Sequence, residues 1–421
     1  MVLHRLLYVL LAFLTFVQTH AYSAWDCQGS LGPYLAPDSL VAAPDSLTPV
    51  FINHLGRHGS RYPASSYSAT TLRKELSKAD SLGTITPLGR QFASVLDEVI
   101  SRSNGCWGAL DSIGIAEHRG IARRLARHYP ELIHNSAAAA SATYSPRAIM
   151  SMYSFLHELA QCDRTITLST VSGPVNSQVL YPFDIDEHYK DYSRQKPWRT
   201  AYDHWVDSVA PMTVRRLLGD SYQITDSAAR QLSIIEYYNL ANMEAMNMPN
   251  DYAPYMSLDE YNSLWSCFNL RQHFQHTANA FSAVPAQMFA GLVQDLVAAA
   301  DTALRTSKSD GERATLQLRF AHAEVLMPVL SLLQVPGCHL VTTDWNTVRD
   351  CWHDFNIVPM AANIQWIYYL APSGMVYVRM DLNERPSPIL PDRDDIYVPW
   401  QEVRRHMLHC IGQNVLTTEI E

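Results

Sequence analysis

A short apolar run that passes through one glycine into a cluster of arginines constrains this chain more than any other stretch. Residues 49–55, Pro-Val-Phe-Ile-Asn-His-Leu, are closed by Gly56 and followed by Arg57-His58-Gly59-Ser60-Arg61-Tyr62-Pro63. The run has the length and composition of a buried strand, which places the heptad in the loop at that strand's C-terminal end. Ligands of open α/β sheets bind at such strand ends. Arg57 and Arg61 offer planar forks suited to two phosphate oxygens, Gly59 permits close backbone approach, and Pro63 stiffens the exit. His58, held between two fixed positive charges, is expected to stay neutral and therefore nucleophilic towards phosphorus. A basic loop that only holds an anion, or a histidine that completes a hydrogen-bond network, would use the same residue types. His54 does not form a metal pair with His58. Strand geometry sets them far apart and no carboxylate completes a ligand set, so no metal is expected.

The chain around this loop is long enough, at 421 residues, for two domains or for one domain with a large insertion. Its net charge of −9 argues against nucleic acid as a partner. An anionic substrate then requires a locally basic pocket in an acidic whole.

His4 and Arg5 precede an apolar run from Leu6 to Val17 that is too short to span a bilayer, and Thr19-His20-Ala21 supplies small residues at a cleavage position. Residues 1–21 therefore read as a signal peptide, leaving an exported protein with no stable membrane anchor. Seven cysteines, at 27, 106, 162, 267, 338, 351 and 410, would enter an oxidising compartment, and the odd number leaves at least one unpaired. Cys338 and Cys351 are the nearest pair and could close a small loop.

Thr86-Pro87 marks a helix start running to about Arg102, and a second amphipathic helix spans roughly 115–129, ending before Pro130. Its Glu117-His118-Arg119 and Arg123-Arg124 read as a solvated face. The small residues 137–144 read as a strand leading through Ser145-Pro146-Arg147 into a helix over 148–159. Arg147 thus repeats the position of the heptad, after a strand and before a helix. From 165 to 302 the chain is rich in Tyr and Trp with few strand-like runs, which indicates a mainly helical insertion over the sheet. Such helices would roof a pocket.

Ser309-Asp310-Gly311 is a turn signal and Ala314–Phe320 alternates as a strand. Pro328 is tolerated only in a first helical turn, which puts a helix start near Glu324. His322 and Glu324 then fall at a strand end and a helix N-terminus, where free N–H groups favour an anion. Hydrolysis of an alkyl phosphate needs a general acid, worth about 10²–10⁴-fold, and Glu324 can supply it while His322 donates to a phosphoryl oxygen. Residues 364–370 and 375–382 read as a β-hairpin. Cys351-Trp352-His353-Asp354 reads as a packed Trp beside a surface His rather than as a second site.

Arg-His-Gly-x-Arg-x-Pro resembles the signature of the histidine phosphatase superfamily, in its acid phosphatase and phytase branch. His322-Ala323-Glu324, within Leu318–Leu330, is similar to the version in multiple inositol polyphosphate phosphatases, as are Leu180–Asp184 and Asn383-Glu384. Ser145-Pro146-Arg147 resembles that superfamily's phosphate-clamping loop. The resemblance implies a Rossmann-like three-layer α/β/α core from residues 22–164 and 303–421, with 165–302 as the helical insertion.

It further implies hydrolysis of phosphomonoesters of inositol hexakisphosphate (phytate) and lower inositol phosphates. His58 would be the nucleophile, Glu324 the proton donor, and Arg57, Arg61, Arg147 and His322 the phosphate ligands. Guanidinium groups neutralise the transferring phosphoryl, so no metal or organic cofactor is expected. A broad-specificity histidine acid phosphatase would share the same loops. A non-catalytic phosphate-binding protein could dispense with His58 and Glu324.

Overall fold

The computed structural model describes residues 22–305 and 314–412. The signal peptide expected over 1–21 and the turn expected at Ser309-Asp310-Gly311 lie outside them. The strands are β1 (Thr48–Arg57), β2 (Ala137–Ala142), β3 (Thr167–Ser172), β4 (Ala314–Ala321), β5 (Asn363–Leu370), β6 (Val376–Leu382), β7 (Arg385–Ser387) and β8 (Val398–Pro399). They form one mixed sheet in the order β3-β2-β4-β1-β5-β6-β7, with β8 on β6. β3, β2, β4 and β1 run parallel, whereas β5 to β8 pair antiparallel.

Helices of nine residues or more are α1 (Tyr67–Ser81), α2 (Pro87–Ser103), α3 (Ser112–His128), α4 (Pro146–Cys162), α5 (Glu187–Gln195), α6 (Arg199–Val209), α7 (Asp226–Ala241), α8 (Leu258–His276), α9 (Ala290–Arg305), α10 (Ala323–Leu332) and α11 (Trp400–Cys410). Local chemistry sets their starts. The Thr86 hydroxyl accepts from the Gly89 N–H ahead of Pro87, Asp111 caps Ile113, and Ser257 with Glu260 forms a capping box on α8.

Side-chain alternation along the strands divides the core in two, and this produces the three layers. Ile52, Leu316, Leu318, Phe320, Ile367 and Tyr369 pack with Ile121 and Leu125 of α3 and Phe155 and Leu159 of α4. Phe51, Leu55, Ile364, Trp366 and Tyr368 point the other way, into a larger core built with the remaining helices. Phe320 and Phe155 meet at 5.5 Å between ring centroids, and truncating either to Ala costs about 3–5 kcal/mol.

The mixed α/β architecture follows the sequence expectation, with local differences. β3 falls inside the stretch expected to be helical. It is a largely exposed edge strand, so it lacks the apolar run that betrays a buried one. The helix expected near Glu324 begins at Ala323, with Pro328 in its second turn. Proline has no N–H to give the Glu324 carbonyl, so that helical hydrogen bond is missing. All seven cysteines carry free thiols. Cys338 is buried while Cys351 is exposed, and the loop they could have closed is not bridged.

Candidate active site

Strand register brings three distant loops to one height. Arg57 is opposite Ala321 and Ala142 is opposite Phe320, so β1, β4 and β2 end together. The heptad, Thr143–Arg147 and His322–Glu324 leave from those ends. The His58 N–H donates to the Ala321 carbonyl (3.0 Å) and the His58 carbonyl accepts from Ala361 (3.0 Å), extending the ladder into the loop.

The His58 ring is buried, and its Nδ1 lies 2.9 Å from the Gly59 carbonyl oxygen. A carbonyl can only accept, so Nδ1 carries the proton and Nε2 keeps its lone pair. Burial, then Arg57, His322, Arg61 and Arg147, hold the imidazole well below its ordinary pKa. The sequence argument for a neutral His58 named the flanking arginines, whereas desolvation is the larger cause.

Three guanidinium groups converge beside it. Arg57 Nη1 donates to the carbonyls of Ser30 (2.6 Å) and Val358 (2.5 Å), and Arg61 Nη1 to that of Tyr62 (2.9 Å). Arg147 Nη2 approaches His322 Nδ1 at 3.4 Å. The Nε atoms of all three are buried without a hydrogen-bond partner. All three charges act on the His58 ring, and buried charged donors left unpaired around one imidazole suit an anion. Burial and the Arg61 charge push the Arg57 and Arg147 pKa values down, Arg57 to about 10, which leaves Arg57 cationic at neutral pH.

His322 immediately precedes α10 without capping it through its side chain, and its Nε2 lies 2.9 Å from Thr143 Oγ1. Arg147 can only donate, so Nδ1 accepts and Nε2–H is given to Thr143. Burial brings the ring's pKa to about 3. Burial also acts to raise the Glu324 carboxyl, but His276, His322, its own N–H and Arg57 outweigh it and hold the group at about 2. At neutral pH both histidines are themselves uncharged, so the Arg57 guanidinium and the helix N–H are what favour the carboxylate.

Several residues around the site escape sequence reading. Glu117 takes the Ser60 N–H and hydroxyl, each at 2.7 Å, and the Tyr34 N–H at 2.8 Å. His118 is buried and Arg124 binds buried Glu384, so α3 turns these charges inwards and the expected solvated face is corrected at all three. Ser151 Oγ accepts from the Gly59 N–H (3.1 Å). Asp354 accepts from Ser30 N–H (2.7 Å) and Trp265 Nε1 (2.9 Å), supporting the turn that holds Arg57. Its neighbour Trp352 is packed, and His353 is half-buried, stacked on Phe355. Tyr181 sets its ring edge-on to His322 at 5.3 Å. Asp354, Glu384 and the Tyr181 segment carried a sequence signal, the first beside Trp352, the second in Asn383-Glu384 and the third in Leu180–Asp184.

Residues 50–383 match the family model of the histidine phosphatase superfamily (branch 2). The chain belongs to this superfamily. As a histidine phosphatase it is a phosphatase-type hydrolase in a fold shared with distant solved structures. The multiple inositol polyphosphate phosphatase of Bifidobacterium longum, in complex with inositol hexasulfate, aligns at a TM-score of 0.74 and 15% identity, over 93% of this chain and 99% of that one. The phytase from D. castellii aligns at 0.69 and 15% identity, over 96% and 92%. The Hafnia alvei phytase aligns at 0.52 and 13% identity, over 88% and 98%. The comparison with curated proteins returns no match. Among the described residues of this histidine phosphatase, no helix is long and apolar enough to cross a membrane.

Proposed function

We propose that this histidine phosphatase is an exported enzyme that hydrolyses phosphomonoesters of inositol polyphosphates, phytate and its lower phosphates, through a phosphohistidine on His58. The observation that carries the reading is three arginines with unpaired, buried Nε atoms whose charges act on one imidazole, His58, whose Nε2 keeps its lone pair. Arg57, Arg61 and Arg147 neutralise the transferring phosphoryl, which a metal ion does in other sites of this chemistry. His58 Nε2 attacks phosphorus in line with the leaving oxygen.

Phosphate entry changes the protonation of its neighbours. A dianion displaces the Arg147 contact on His322 Nδ1 and raises the pKa values of His322 and Glu324 by adding negative charge. His322 gains the proton with which it donates to a phosphoryl oxygen. Glu324, an anion before substrate enters, becomes the acid that protonates the leaving alkoxide, then accepts a proton from the water that frees His58. The substrate class rests on His322-Ala323-Glu324 and on the likeness to the Bifidobacterium and D. castellii proteins. The helices between β3 and β4 are the roof that selects it.

Comparing kcat/KM on phytate with that on 4-nitrophenyl phosphate tests the substrate. Preference for phytate, with successive lower inositol phosphates appearing, is the expected result. Preference for the aryl ester with no release from phytate would assign a broad-specificity acid phosphatase instead.

A further inference from the structure

The hairpin between β6 and β7 turns on two residues, Asn383 and Glu384, with Leu382 paired to Arg385 across it. Both are left-handed, at φ 53° and 61°. A two-residue turn of this kind favours Asn followed by Gly, because a Cβ at the second position is crowded by its own backbone. Asn tolerates the conformation. Glu does not, and a residue so strained persists only where its surroundings hold it.

The surroundings lead by hydrogen bonds to the catalytic loop. Asn383 is buried and exchanges hydrogen bonds with the Asn363 backbone, its N–H donating to the carbonyl (2.8 Å) and its Oδ1 accepting from the N–H (3.1 Å). Its Nδ2 is left to donate to the carbonyls of Asn356 (2.8 Å) and Ile357 (3.3 Å). The next carbonyl along, that of Val358, is one of the two that hold Arg57 Nη1. Glu384 is buried too, and its carboxylate takes Arg124 Nε (2.9 Å) and the Tyr34 hydroxyl (2.9 Å). The Tyr34 N–H donates to Glu117 (2.8 Å), whose carboxylate takes the Ser60 N–H and hydroxyl. Two adjacent residues of one turn therefore reach both sides of His58, Arg57 through the 356–358 segment and Ser60 through Tyr34 and Glu117.

We infer that Asn383 and Glu384 are positioning residues of the phosphate site, Asn383 setting the carbonyl that orients the Arg57 guanidinium and Glu384 fixing the loop that carries His58. This rests on the proposed roles of Arg57 and His58. Gly in place of Glu384 would relax the backbone, but it would leave the Tyr34 hydroxyl and Arg124 without their acceptor and the loop without its anchor. The strained turn is kept for what its side chains hold. Both residues act through others, so their loss appears in how the site grips phosphate.

The test uses 4-nitrophenyl phosphate as substrate and inorganic phosphate as inhibitor, so it does not depend on the inositol assignment. Asn383→Asp keeps the Oδ1 acceptor and the tolerance for the left-handed turn but removes the Nδ2 donor. It should lower kcat/KM about 10–100-fold and raise the phosphate Ki about tenfold, as misplacement of a clamping side chain does. A double-mutant cycle identifies the route. In an Arg57→Ala background Asn383→Asp should cost less than about threefold, because the group it positions is already gone. Glu384→Gln, which keeps one acceptor oxygen, should lower kcat less than Glu384→Ala does. If Asn383→Asp does not fold, Asn383→Gly, which suits the turn and lacks the side chain, must show the same losses and the same cycle. A lowered melting temperature with wild-type kcat/KM and phosphate Ki, or losses that multiply in full with Arg57→Ala, would overturn the inference while leaving the phosphatase reading intact. No turnover by the wild-type protein would remove that reading and this inference with it.

Discussion

Gly59 of the heptad lies against Gly114 in the first turn of α3. A Cβ built on Gly59 would stand 2.6 Å from both the Cα and the carbonyl oxygen of Gly114, and one on Gly114 would stand 2.3 Å from the Ser60 carbonyl. The approach is backbone to backbone, so no side chain can swing aside. Sequence reasoning assigned Gly59 to close approach of substrate, whereas the helix behind the loop already requires it.

Gly59→Ala is therefore expected to displace the loop or α3, with a loss of roughly 1–3 kcal/mol of stability, as overpacking costs. Phosphatase activity should fall with it. Thermal denaturation of the variant, alongside kcat/KM on 4-nitrophenyl phosphate, checks both. An alanine variant of wild-type stability and rate would contradict the packing account.

Glu117 fastens the same loop from below. Burial raises its carboxyl, opposed by the hydrogen bonds from Tyr34 and Ser60. Glu117→Ala leaves three donors without an acceptor and should cost about 2–4 kcal/mol. Glu117→Gln has one acceptor oxygen in place of two and should fall between. The expected kinetic signature is a lower kcat for every ester alike, because Glu117 touches no leaving group.

His54 predicts an acid weakness in the fold. It lies near the C-terminal end of β1, its ring against Phe155 and Phe320, fully buried, with neither ring nitrogen hydrogen-bonded. Burial, His118 and Arg319 bring its pKa to about 3. An unfolded imidazole takes its proton near 6.5, so between those values the unfolded chain binds more protons and stability falls as pH falls. His54→Leu should flatten that decline by a few kcal/mol at most and leave stability near pH 7 equal or higher. Melting temperatures from pH 7 to 4 decide it. An identical acid slope in the variant would count against the assignment.

Charge neutralisation by Arg57, Arg61 and Arg147 leaves no step for a divalent ion. Dialysis against EDTA should leave kcat/KM unchanged. Loss of activity that only a divalent ion restores would contradict this mechanism.

What was readable in advance divides along a physical line. Arg57, His58 and Arg61 share one unbroken string after an apolar strand, and His322 and Glu324 sit where a strand turns into a helix, so local pattern sufficed. Strand-to-helix logic gave Arg147 its position, and only the family resemblance gave it a phosphate-binding role. Glu117, Thr143 and Asp354 act through tertiary contacts, and a residue such as Glu117 in a helix full of charges looks solvated until its partner Ser60 is placed. β3 escaped because an exposed edge strand needs no apolar run. The free thiols of Cys338 and Cys351 show that closeness in sequence does not set the distance between two side chains.

The central claim is that His58 Nε2 carries the phosphoryl group in transit. Rapid mixing with a labelled phosphomonoester, alkaline quenching and peptide mapping tests it directly. The account predicts an acid-labile, base-stable phosphoenzyme on the peptide containing His58, absent from His58→Ala. Turnover by the wild-type enzyme with no label on that peptide, or undiminished turnover by His58→Ala, would contradict it.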